Sequence, residues 1–76
     1  MSVPGPAFIT GASGFVGGAV LRHLIAQGRE VRALARSSEA EERVTAAGAA
    51  AIRGDLFDPE AMLAGIRGCS TVFHVA

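Results

Sequence analysis

The nine residues from Thr10 to Gly18, TGASGFVGG, limit the possible folds more than any other part of the chain. Gly11, Gly14 and Gly17 recur at a spacing of three, straight after the short apolar run Ala7-Phe8-Ile9-Thr10 and straight before a stretch with helical periodicity. An apolar run closed by glycine suits a fully buried parallel strand. From Gly14 to about Gln27 the stripe Val16, Val20, Leu24 and Gln27, widened by Leu21 and Ile25, predicts a helix that Gly28 stops. A strand, a glycine turn and a helix in that order suit a place where backbone, not side chain, meets a phosphate-bearing ligand; the alternative is a purely structural tight turn. Gly11 permits the tight turn, Gly14 lets the backbone approach a pyrophosphate, and Gly17 lets the helix lie close to the sheet. The free N–H groups of the first helical turn and the positive end of its dipole would bind the phosphates.

The rest of the chain repeats the strand–helix alternation. Glu30 to Ala35 predicts a second strand. Ser38 with Glu41 forms a capping box for a helix carrying Ala40, Val44 and Ala47 and ended by Gly48. Ala49 to Ile52 predicts a third strand, weak because alanine is a poor strand former. Asp58 before Pro59 is an N-cap opening a helix through Leu63 and Ile66 that stops near Gly68, and Thr71 to Val75 is the fourth strand. Four strands and three helices with short loops predict an α/β fold, the N-terminal half of a doubly wound (Rossmann) parallel sheet, incomplete, with residues 1–76 as one truncated dinucleotide-binding part. The fourth strand should be covered on both faces and paired on its far side, so its free edge invites self-association.

Composition narrows the partners. The chain has 76 residues, half of them apolar, and a formal net charge of zero, so no nucleic-acid partner is expected. No stretch approaches the roughly 18 apolar residues of a membrane helix, and the expected location is cytoplasmic. Cys69 is single, which excludes an internal disulfide and a multi-cysteine metal site; it reads as a small buried residue at the start of a strand. All seven basic residues are arginine, so a mononucleotide P-loop, which needs a lysine, is excluded.

These residues resemble the extended and atypical short-chain dehydrogenases/reductases, whose N-termini carry a strand and then T-G-x-x-G-x-x-G. Gly54-Asp55-Leu56 and Val72-Phe73-His74-Val75-Ala76 are similar to that family's motifs, and VRALARSS is most similar to its dihydroflavonol-reductase-like and epimerase/dehydratase branch. The resemblance implies a nicotinamide cofactor held by Gly11, Ser13, Gly14, Phe15, Val16, Gly17, Arg36, Ser37, Asp55, Leu56, Val75 and Ala76. It implies that Asp55 accepts a hydrogen bond from the adenine amino group beside the Leu56 backbone; the alternative is a turn residue satisfying local N–H groups. The second strand ends in Arg36-Ser37 with no carboxylate at its tip. A guanidinium matches a 2′-phosphate, so NADP is expected, with NAD as the alternative and a solvated charge as the plainer reading of Arg36. Arg32, the second candidate for the 2′-phosphate, is expected instead to snorkel at the sheet's edge, His74 to be a satisfied buried histidine rather than a catalyst, and His23 to be a surface residue.

The resemblance also implies a catalytic tyrosine, a lysine four residues later that lowers its pKa, and a serine or threonine that polarises the carbonyl. The chain has neither tyrosine nor lysine, so no catalytic residue is expected within it. The expected parent is a longer reductase or epimerase/dehydratase acting on a small molecule through a part beyond Ala76. A non-catalytic NADP-binding redox sensor, similar to the NmrA-like proteins, is the rival reading.

Overall fold

The structure, a computed structural model, describes residues 5–75. The elements run β1 (Ala7–Thr10), α1 (Phe15–Ala26), β2 (Val31–Ala35), α2 (Ser38–Ala46), β3 (Ala50–Arg53), α3 (Pro59–Ile66) and β4 (Thr71–His74). All pairings are parallel and the strand order is β3-β2-β1-β4. Successive β-strand side chains point to opposite faces, and the core divides accordingly. Ala7, Ile9, Val31 and Ala33 pack with Leu21 and Leu24 of α1 and Val44 of α2. Phe8 and Leu34 point the other way and pack with Ala61 of α3. Helices α1 and α2 therefore share one face while α3 covers the other, because the chain turns back after β3 to lay β4 beside β1. That reversal is the switch point of a doubly wound sheet, and it opens a crevice at the carboxyl ends of β1 and β4.

Several local expectations give way to packing. The buried residues of α1 are Gly17, Gly18, Leu21 and Leu24, while Val16 and Gln27 are exposed. The helix is seated by its glycines: a Cβ on Gly17 would lie 1.9 Å from the Gly11 carbonyl oxygen, so the close approach is to the turn leaving β1 rather than to the sheet. Similarly, Leu63 and Ile66 of α3 are 56% and 40% exposed, whereas Ala61 and Gly65 are buried. Phe8 fills the space beneath α3, and a Cβ on Gly65 would meet its ring at 2.2 Å. Small residues face the sheet because the aromatic ring already occupies the gap.

The cap of α2 is Ser37, not Ser38: the Ala40 N–H donates to Ser37 Oγ at 3.1 Å. Ser38 is already helical, and Glu41 lies 3.7 Å from Arg53 Nη1 instead of closing a capping box. Asp58 caps α3 as expected, its Oδ1 accepting from the N–H groups of Glu60 and Ala61 at 3.1 and 3.2 Å. The strand limits shift by a residue: Glu30, Ala49 and Val75 fall outside β2, β3 and β4, and β3 extends to Arg53.

Arg32 does not snorkel at an edge, because β2 is an interior strand. Its guanidinium donates to the carbonyls of Gly65 and Arg67 at the end of α3. Cys69 is half-buried in the turn before β4 and donates to the Gly65 carbonyl at 3.0 Å. β4 is not covered on both faces: Val72, on the α3 side, is 47% exposed because α3 packs over β1, β2 and β3.

Candidate functional site

The carboxyl ends of the strands open on a cavity of about 550 Å³, bounded by the turn after β1, the exit of β2, the first turns of α2, the β3–α3 turn and the end of β4. Of the residues expected from the sequence, Gly11, Ser13, Arg36, Ser37, Asp55, Leu56 and Val75 line it. Gly14, Phe15, Val16 and Gly17 form the adjoining helix start rather than its wall. Ala76 lies outside the described residues.

The two outer glycines are required by the chain itself. Gly11 has φ +79°, and a Cβ there would lie 2.0 Å from the Val75 carbonyl oxygen, where the end of β4 passes the turn. Gly17 is held by its contact with Gly11. Gly14 differs: its φ is −83°, ordinary for any residue, and a Cβ there would meet only the Gly11 oxygen, at 3.5 Å. The fold leaves that space open, as a cradle for an incoming group requires.

The start of α1 has matching electrostatics. Helices α2 and α3 begin with a side-chain oxygen bonded to their first-turn amides. Gly14, at the N-cap of α1, has no such oxygen, the first turn carries no acid, and the first helical bond runs from Gly18 N–H to the Gly14 carbonyl at 2.8 Å. The Gly14 N–H donates to the Gly11 carbonyl at 3.2 Å, so the amides of Phe15, Val16 and Gly17, with the positive end of the dipole, are those that could meet an anion.

At the β2 side, Arg36 and Ser37 meet Glu39 and Arg43 of α2 around the cavity. Neither arginine forms an ion pair among the described residues. Ser37 accepts the helix-capping bond and keeps its O–H as a donor. Asp55 satisfies a local amide, with Phe57 N–H donating to its Oδ1 at 2.8 Å, so the turn role is real, and its second oxygen remains available to the cavity. At the crevice Thr10 is buried and its hydroxyl bonds His74 Nδ1 at 2.6 Å. His74 is therefore satisfied but exposed rather than buried. His23 is exposed as expected.

Arg43, Glu39, Phe57 and Thr10 were not singled out by sequence reasoning. Glu39 lies in the first turn of α2 and Arg43 four residues further on, so the two share one helix face.

The NAD(P)H-binding family model matches residues 11–76, and the chain belongs to that family. It is 46% identical over 69 residues to a 4-hydroxy-2-methyl-3-oxo-4-farnesyl-3,4-dihydroquinoline-1-oxide ketoreductase of Stigmatella aurantiaca, covering 91% of this chain and 21% of that protein. It is 44% identical over 70 residues to a 2-alkyl-3-oxoalkanoate reductase of Shewanella oneidensis, covering 92% and 18%. Among solved structures, a short-chain dehydrogenase/reductase superfamily protein from Agrobacterium tumefaciens with bound NAD is 35% identical with a TM-score of 0.74, covering 93% of this chain and 20% of that one. The chain thus spans about a fifth of the length of the curated relatives it matches. The resemblance to short-chain dehydrogenases/reductases, the doubly wound fold and the nicotinamide cofactor are borne out. No helix among the described residues is long and apolar enough to cross a membrane.

Proposed function

We propose that this chain binds the adenosine and pyrophosphate half of NADP(H) in an oxidoreductase that acts on a carbonyl or hydroxyl of a small molecule, in the cytoplasm. The observation that carries the reading is the start of α1: a helix with no side-chain cap and no first-turn acid, preceded by a glycine whose side-chain space the fold does not use. A pyrophosphate fits there without any catalytic side chain. The cofactor supplies the hydride chemistry when bound; the chain's own residues bind and orient it. First-turn amides donate to phosphate oxygens, Asp55 accepts from the adenine amino group, and Arg36 takes the 2′-phosphate.

Preference for NADP over NAD rests on Arg36, assisted by Arg43 and the Ser37 hydroxyl, around a strand tip that carries no acid. Glu39 also lines the cavity and opposes a 2′-phosphate, but two arginines, Arg36 and Arg43, line it with this one acid, and the balance of charge favours the anion. The reductase names of the similar proteins support an enzyme over a non-catalytic sensor, while an epimerase/dehydratase shares the same cofactor half. Tyrosine and lysine are absent from this sequence, so the proton-transfer groups belong to another part of the parent protein.

Titration of NADPH and NADH into the parent protein and its Arg36→Ala variant tests the choice of cofactor. NADPH should weaken by about 1.5 to 3 kcal/mol, the range for a charge-assisted hydrogen bond, with NADH nearly unchanged. Equal losses for both cofactors would remove the 2′-phosphate role of Arg36.

A further inference from the structure

Phe57 is unusual for a phenylalanine in so small a domain: its side chain is 92% exposed, yet it lines the cavity. Exposure does not by itself distinguish it, because Phe15 is equally exposed and stands outside the cavity. The difference lies in how Phe57 is held. Its N–H donates to Asp55 Oδ1 at 2.8 Å, and the following Asp58 N–H donates to the Asp55 carbonyl at 3.1 Å. Asp58 in turn caps α3, which is anchored on Phe8. The backbone of the β3–α3 turn is thus fastened on both sides of Phe57, which fixes where its ring leaves the chain at the cavity wall. The other apolar side chains there, Leu34, Ala40, Leu56 and Val75, are all aliphatic, so among the described residues Phe57 supplies the phenyl face, the one other aromatic ring being the His74 imidazole, which is bonded to Thr10. A flat heteroaromatic base is the ligand group that such a face recognises, and stacking does not depend on a hydrogen-bond pattern.

We propose that Phe57 stacks on the adenine of the bound nucleotide and closes the adenosine end of the cavity, while Asp55, on the same turn, reads the exocyclic amino group. The inference rests on the nucleotide reading above and adds a positioning residue to it. Carboxylate and ring are coupled, because the side chain of Asp55 fixes the backbone of Phe57. The contact is indifferent to the 2′-phosphate, so it strengthens NADP(H) and NAD(H) by the same factor, unlike Arg36.

The test uses Phe57→Ala and Phe57→Trp in the parent protein, titrated with NADPH, adenosine 2′,5′-bisphosphate and nicotinamide mononucleotide. F57A should weaken NADPH and the bisphosphate by the same factor, about tenfold as for loss of one stacked base, and leave the mononucleotide unchanged. F57W should restore affinity, and its indole fluorescence should be quenched on saturation with the bisphosphate. If the wild type binds the bisphosphate and F57A binds it within twofold as well, or if the F57W fluorescence does not respond, the stacking role is overturned while the nucleotide site stands. If the wild type binds neither NADPH nor the bisphosphate, both are overturned.

Discussion

Three glycines at equal spacing carry unequal duties. Gly11 and Gly17 are locked by the chain's own backbone, since a Cβ on either would come within about 2 Å of a carbonyl oxygen. Gly14 has only ordinary contacts. Gly17→Ala should therefore destabilise the parent protein by about 3 kcal/mol, the upper part of the usual overpacking range. Gly14→Ala should stay within about 1 kcal/mol, because reduced unfolded-state entropy offsets the poorer cap. Urea unfolding of the two variants measures the difference, and equal losses would mean that Gly14 is also a packing residue. The spacing identified all three glycines, but it could not separate them, because that depends on where β4 ends and how low α1 sits. Asp55 was equally ambiguous, and the structure gives it the turn role with an oxygen to spare. Arg36 and Ser37 were legible because they follow a strand directly; Arg43 was not, because six residues of chain separate it from Arg36.

Elements were legible where punctuation is chemical and less so where facing is decided by contact. Asp58-Pro59 gave the start of α3 to the residue. Its buried face was not legible: the large apolar Leu63 and Ile66 are exposed, while Ala61 and Gly65 are buried against Phe8 with Met62 packed beside them. Two substitutions check this orientation by thermal or urea denaturation. Leu63→Gln should change stability by no more than about 0.5 kcal/mol, as for an exposed site, whereas Asp58→Ala should cost about 1 kcal/mol through loss of the cap. A large loss from L63Q would place Leu63 in the core. The same limit of periodicity applies in part to α1: Leu21 and Leu24 are buried and Val20 and Ile25 pack against them, as the stripe suggested, but at the first turn Gly17 and Gly18 are buried and Val16 is not. Adjacent serines at 37 and 38 made the cap of α2 a choice of one position, which the extended backbone of Ser37 decides.

For the whole molecule, alternation of strands and helices was enough to read the parallel sheet, and the order β3-β2-β1-β4 explains why the site lies where β1 and β4 diverge. β4 stands at one edge of this sheet with Val72 half uncovered, so the 76-residue chain on its own is expected to self-associate, and Val72→Lys should shift its sedimentation toward monomer. The same chain should show no NADPH-dependent reduction, because it has no tyrosine or lysine to handle the proton. The central claim is that open space at Gly14, before an uncapped helix, receives a pyrophosphate. Calorimetric titration of NADPH into the parent protein and its Gly14→Val variant, with unfolding curves confirming that both are folded, tests it most directly. The wild type should bind and the folded variant should show no measurable heat of binding; an unchanged dissociation constant in the folded variant would contradict the assignment of the phosphate site.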